Sequence, residues 1–344
     1  MARGRHWPPD PVEEAEVPAS AEGLRAPLVA HWAATYRCNL RCAFCYSESG
    51  PWREPEPSPE IRLRLVDRLA AWGVLEVALG GGEPLILPDL PALLAAIRAA
   101  GLVPNVTTNS TTLRPEALRA LAEHAGVVQL SADRAAWLDA ARGAGVSERL
   151  CATARRLRRA QVRLGINLLL TPRNIRDIRR SLDVALDLGA EGVTFLRPKG
   201  PWVAEHWPGF PSPDDLEILA ADLWAFLDDR PPLRLSVDTA LRGEWARLGL
   251  LTDPEPEVLG CGGGQRHIAL SPEGDVYPCS HARRRPDYRM GNLLRDDFRH
   301  LWPSGMGPPG RRRYLADCRG VRCPCGLANP GEGGKPGAAA QSHG

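Results

Sequence analysis

Three cysteines, Cys38, Cys42 and Cys45, stand at C-x3-C-x2-C in the run Tyr36-Arg-Cys38-Asn-Leu-Arg-Cys42-Ala-Phe-Cys45-Tyr. Three thiolates this close can hold three irons of a 4Fe-4S cube and leave the fourth iron without a protein ligand. An open iron can bind a substrate, which separates the pattern from the four-cysteine set of an electron carrier. Part of a zinc site is the alternative, although zinc normally takes four ligands in CxxC pairs. A second candidate, Gly80-Gly81-Gly82-Glu83-Pro84, joins one acid to glycines that let backbone come close to a ligand. Taken alone it is also an ordinary turn.

Five more cysteines lie late in the chain. Cys261 and Cys279 flank Gly274 as C-x12-G-x4-C, and Cys318, Cys323 and Cys325 follow. The Pro272-Glu-Gly-Asp275 turn predicts a β-hairpin that folds the first two thiols together. Five thiols fully ligate one 4Fe-4S cube, and a four-thiolate structural zinc has the same ligand count. Cys151 sits alone in a helical stretch and reads as a structural thiol. His281, two residues after Cys279, is a candidate base or a solvent-exposed histidine.

The elements that must position these groups alternate. Apolar runs at 28–35, 75–80, 103–108, 127–131, 162–170 and 192–196 predict strands, several apolar throughout, as strands covered on both faces should be. Amphipathic stretches at 60–72, 90–100, 115–124, 147–160 and 175–188 predict helices between them, with Gly and Pro at the joints. Repeated βα units imply a parallel sheet. Cys38–Cys45 then follow the first strand and Gly80–Pro84 end the second, at the strand ends where parallel barrels carry their chemistry. A long Pro, Gly and Trp-rich loop (199–213), a helix (214–228), a strand (233–237) and a short helix (241–248) come next.

C-x3-C-x-aromatic-C after strand one, with Phe44 as the aromatic, resembles the radical S-adenosylmethionine (SAM) superfamily, and Gly80–Pro84 is similar to its GGEP motif. The resemblance implies an α/β fold, a partial TIM-type (β/α)6 barrel, with Cys38, Cys42 and Cys45 on a cluster whose open iron chelates SAM. It implies SAM contacts from Phe44, Gly81, Gly82 and Glu83, the acid taking the SAM ammonium. Asn109, Ser131, Asp133 and Asn167 fall where the family makes polar contacts to SAM ribose and carboxylate. The later cysteines, with Gly291-Asn-Leu293 and Leu301-Trp302, resemble a SPASM or twitch extension. One auxiliary cluster on Cys261, Cys279 and two of Cys318, Cys323 and Cys325 is expected, since a full SPASM set has more cysteines. Sulfatase maturases of this type place an acid after the cysteine matching Cys279, where this chain has Ser280-His281.

The expected divisions are an N-terminal extension (1–27), the barrel (28–250), the cluster extension (251–328) and a tail (329–344) too poor in apolar surface to fold. Net charge is +2 with only two lysines, and no basic stripe with interleaved aromatics suggests nucleic acid. No signal peptide and no apolar run of about 18 residues occurs, so a cytoplasmic protein without membrane partners is expected. The resemblance implies reductive cleavage of SAM to a 5′-deoxyadenosyl radical, an external one-electron donor of flavodoxin or ferredoxin type, and a peptide or small-molecule substrate. A ribosomally made peptide ranks first. Radical oxidation or decarboxylation of a sugar or nucleoside is the alternative, and a non-catalytic metal-binding or electron-transfer protein is the reading from another class. Strand one begins about 28 residues into the chain, too few for a fused peptide-recognition domain, so a peptide would dock directly or through a separate leader-binding protein.

Overall fold

The computed structural model describes residues 24–42, 44–50, 56–198, 206–207, 209–229, 231–238, 241–250, 262–283, 285–302 and 308–313. Among them, ten strands form one sheet in the order β10-β9-β8-β1-β2-β3-β4-β5-β6-β7. The strands are β1 (Val29–Thr35), β2 (Glu76–Gly81), β3 (Val103–Thr108), β4 (Val128–Leu130), β5 (Leu164–Leu169), β6 (Gly192–Leu196), β7 (Arg234–Val237), β8 (His267–Leu270), β9 (Asp275–Tyr277) and β10 (Gly291–Asn292). From β8 through β1 to β7 every neighbour is parallel, and β9 and β10 add antiparallel. The expected partial barrel is present, with β7 extending it by one strand.

Helices α1 (Pro59–Trp72), α2 (Leu90–Ala99), α3 (Pro115–His124), α4 (Ala135–Arg142), α5 (Val146–Arg159), α6 (Ile178–Asp187), α7 (Pro213–Asp228), α8 (Arg242–Arg247) and α9 (Phe298–Leu301) join or follow the strands. Proline stands in the first turn of α1, α2, α3 and α7, where its missing N–H has no intrahelical acceptor to lose.

The core lies between the sheet and these helices. Val77, Leu79, Val106, Val128, Leu130, Ile166, Leu168, Val193 and Phe195 are buried there with Leu65, Leu69, Leu93, Leu94 and Ile97 of the helices. The alternate strand positions point the other way. They are small or polar and only partly covered: Gly80, Asn105, Thr107, Gln129, Asn167 and Thr194. The sheet therefore has an apolar outer face and a hydrophilic inner face that can receive a polar ligand.

The hairpin predicted from the late cysteines is β8–β9, turning through Ser271–Gly274, with Gly274 at φ +86°. It continues the barrel sheet, because β8 pairs in parallel with β1 from Val29↔His267 to Trp32↔Leu270. The physical reason is composition: Ile268, Ala269 and Leu270 are all apolar and fully buried, so β8 needs cover on both faces, and its edges pair with β1 and β9. The segment after it is held on α1, where Arg68 donates to the Leu293 and Asp296 carbonyls at 2.8 and 2.7 Å and Trp72 stacks on Phe298 at 5.4 Å.

Candidate functional site: the cysteine loop and the strand ends

The cysteine loop leaves β1 at Thr35 and is fixed at its root from two sides. On one side the β2 turn reaches it, with Gly82 N–H donating to the Thr35 carbonyl at 2.7 Å and Glu83 N–H to the Arg37 carbonyl at 2.9 Å. This approach is why glycine is required: a Cβ on Gly82 would collide with the Arg37 carbonyl, and Gly81 holds φ +101° against Ala33 and Thr35. Gly81 and Gly82, expected to contact SAM, thus also admit the chain's own backbone. Gly80 differs, for a Cβ there would meet nothing within 4 Å among the described residues.

On the other side Glu56 accepts from the Thr35 hydroxyl, from Tyr36 N–H at 3.1 Å and from Arg37 N–H at 3.3 Å. Buried Arg62 of α1 holds Glu56 (3.5 Å), Asp89 (2.9 Å) and the Ala34 carbonyl (3.3 Å). This charged clamp offsets its own desolvation, because each buried group has a partner.

The three thiols are close enough to act on one another electrostatically. Burial pushes Cys38 up to about 11, with Glu83 and the other two thiols adding to the effect and the Leu40 N–H opposing it. Burial also raises Cys42, against the pull of the Arg142 cation. Two donors converge on the Cys38 sulfur, Leu40 N–H at 3.4 Å and Asn109 Nδ2 at 3.7 Å, and Ser47 Oγ, which donates to the Gly81 carbonyl at 2.9 Å, lies 3.2 Å from Cys45 Sγ.

Arg142, at the end of α4, was not anticipated. It donates to the Ser131 carbonyl at 2.8 Å, lies 5.7 Å from the Phe44 ring centre and makes no ion pair among the described residues. Loss of solvent depresses its pKa, and the charges that oppose this are Cys42, Asp133, Cys38 and Cys45. A partly buried cation facing three thiols, with no carboxylate bound to it, fits an anionic group held by those thiols. Phe44 stacks on Trp137 of the same helix at 5.4 Å.

The other expected contacts separate into two groups. Ser131 and Asn167 sit at the inner face of β4 and β5, and neither the Ser131 hydroxyl nor the Asn167 amide has a hydrogen-bond partner among the described residues, so both are available to a ligand. Asp133 is engaged within the protein. Its carboxylate accepts from Arg134 N–H, Ser181 Oγ and Asn174 Nδ2, each at 2.7 Å, which fastens the loop after β4 to α6. Glu83 is fully buried, and burial raises its pKa. It accepts from Leu85 N–H (2.9 Å), Thr108 Oγ1 (2.7 Å) and Asn109 N–H (2.7 Å). A carboxylate offers about four lone pairs, so these three donors leave one unfilled.

Cys279 is buried with Ala269, Tyr277, Ala282 and Tyr288. The His281 ring lies against Tyr46 at 4.6 Å, which brings the residue after Cys45 to the residue two beyond Cys279. Cys261, Cys318, Cys323 and Cys325 lie outside the described residues. Also among the described residues, no helix is long and apolar enough to cross a membrane.

A family model for the radical SAM superfamily matches residues 32–185, and a SPASM model, an iron-sulfur cluster-binding domain, matches 261–324. Mycofactocin maturase MftC of Mycobacterium ulcerans is 30% identical over 319 residues, covering 87% of this chain and 83% of its own. PqqA peptide cyclase of Streptomyces rochei is 31% identical over 278 residues, covering 78% and 73%. The solved structure of Streptococcus suis SuiB bound to precursor peptide SuiA shares the fold with TM-score 0.68 at 16% identity, covering 89% of this chain and 76% of that one.

Proposed function

Given that the chain belongs to the radical SAM superfamily and carries its SPASM extension, we propose that it modifies a ribosomally made peptide by radical chemistry. Its cofactors are a 4Fe-4S cluster, SAM and auxiliary iron-sulfur ligated in the extension. Bound in the barrel, cluster and SAM supply reductive cleavage to methionine and a 5′-deoxyadenosyl radical that removes a hydrogen atom from the substrate.

Cys38, Cys42 and Cys45 would hold the SAM-binding cluster, and the uncommitted Arg142 would offset its negative charge or that of the SAM carboxylate. The open space at Gly80, the Ser131 hydroxyl, the Asn167 amide and the remaining lone pair of Glu83 would orient SAM. Phe44 and Trp137 would wall off water beside it. Cys261 and Cys279, with two of Cys318, Cys323 and Cys325, would hold the auxiliary cluster, and Tyr46 on His281 would couple the two cysteine loops. A cytoplasmic flavodoxin or ferredoxin would supply the electron.

The observation that carries the peptide reading is the roughly 30% identity, over most of both chains, to a maturase and a peptide cyclase. Anaerobic protein incubated with SAM, dithionite and the short peptides encoded beside its gene tests it. A SAM-dependent mass change in one peptide is expected. Formation of 5′-deoxyadenosine with every such peptide unchanged, and turnover of a sugar or nucleoside instead, would overturn the substrate class and leave the family standing.

A further inference from the structure

Asn109 sits at the end of β3, and all four hydrogen-bonding positions of its side-chain amide are occupied. Its Oδ1 accepts from Thr111 N–H at 3.0 Å and from Thr111 Oγ1 at 2.6 Å. Its Nδ2 donates to Asn39 Oδ1 at 3.0 Å and to Cys38 Sγ at 3.7 Å. Asn39 Nδ2 closes the ring by donating to Thr111 Oγ1 at 2.8 Å. An amide is oriented by its network. Here the backbone N–H of Thr111 can only donate, so the oxygen of Asn109 must face it and the NH2 must face the sulfur. The backbone of Asn109 is fixed as well, through its N–H on the buried Glu83 carboxylate at 2.7 Å.

We propose that Asn109 is a tuning residue of the first cluster, setting its reduction potential by donating to the Cys38 sulfur rather than by contacting SAM. The inference rests on Cys38 ligating that cluster, as above. Once Cys38 is a thiolate, its sulfur only accepts, and Asn109 and Leu40 N–H are the donors aimed at it. Hydrogen bonds to cluster sulfurs stabilise the more negative, reduced form and raise the potential. An amide locked by four bonds keeps that donor in place without reorganisation.

The test is an EPR-monitored redox titration of the reconstituted holoenzyme, without SAM, beside SAM binding by equilibrium dialysis. Asn109→Ala should lower the reduced-to-oxidised ratio at a fixed potential about tenfold, equivalent to 59 mV for one electron. Asn109→Asp, which puts a negative charge beside the sulfur, should lower it further. Thr111→Val keeps Asn109 and the Thr111 N–H but removes one link of the ring; it should shift the potential the same way by less, and it serves if the Asn109 variants take up little iron. An unchanged potential in cluster-loaded variants, with or without a loss of SAM affinity, would overturn the proposal. A wild type with no reducible cluster would instead remove the reading on which it rests.

Discussion

The Glu83 carboxylate and the backbone N–H of Asn109 lie 2.7 Å apart, so the acid of the Gly80–Pro84 turn also holds the residue that donates to the Cys38 sulfur. Two motifs separate in sequence are thereby one mechanical unit: β2 fixes the end of β3, and both fix the cysteine loop.

It follows that Glu83→Ala should do more than weaken SAM binding. It strands the Leu85 N–H, the Thr108 hydroxyl and the Asn109 N–H in a buried site, at about 1–3 kcal/mol for each group left unsatisfied. Glu83→Gln keeps one oxygen for Leu85 and Thr108 but turns an NH2 toward the Asn109 N–H, so it should cost about a third as much. Thermal unfolding of the apoprotein checks the order: Ala lowest, Gln between, wild type highest. An Ala variant that melts with the wild type would show that the three hydrogen bonds do not hold the strand ends.

The adjacent glycines should respond differently. Gly82→Ala drives a methyl into the Arg37 carbonyl, and the Cys38 loop should give way, with lower stability and lower iron uptake. Gly80→Ala places its methyl in open space on the inner face, leaving the melting temperature unchanged while crowding SAM. Reversed effects, with Gly82→Ala stable and Gly80→Ala unfolded, would contradict the assignment of the two faces.

For Arg142, replacement by Met removes the cation while keeping bulk against Phe44. SAM affinity should fall about tenfold or more, from the roughly 1.5–3 kcal/mol of a hydrogen bond to a charged group. Equilibrium dialysis with labelled SAM measures it; unaltered affinity in cluster-loaded protein would mean that the charge at Arg142 does not serve the SAM carboxylate.

The later cysteines separate the two clusters. Replacing Cys261 and Cys279 by Ala should remove about half of the iron, spare SAM cleavage without substrate and abolish conversion of the peptide. Metal analysis of the wild type decides between cluster and zinc: about four irons and one zinc per chain would end the two-cluster assignment.

How far the sequence exposed this arrangement depends on the range of the interactions. Strands β3 and β6 and helix α3 have the ends that their apolar periodicity predicts, because burial on a fixed face is a local pattern. Helix α4 gave no such signal: it has eight residues, no side-chain cap bond and a glycine directly after it. With it, Trp137 and Arg142 escaped notice. Glu56 lies in a proline-flanked stretch without periodicity, and its donors are 19 to 21 residues away. The family resemblance marked Glu83, by its motif, and Asn109, by its place after a strand, as site residues, yet the bond between them spans 26 residues. Asp133 looked equivalent to Ser131 at a strand end, and only contacts 41 and 48 residues away show that it is anchored elsewhere.

The most direct test of the central claim is 5′-deoxyadenosine formation by anaerobically reconstituted protein given SAM and dithionite. The wild type should contain iron and release 5′-deoxyadenosine with methionine in equal amounts, and the Cys38→Ala, Cys42→Ala, Cys45→Ala triple variant should lose about four irons and release none. Undiminished release by the triple variant, or none from iron-loaded wild type, would contradict it.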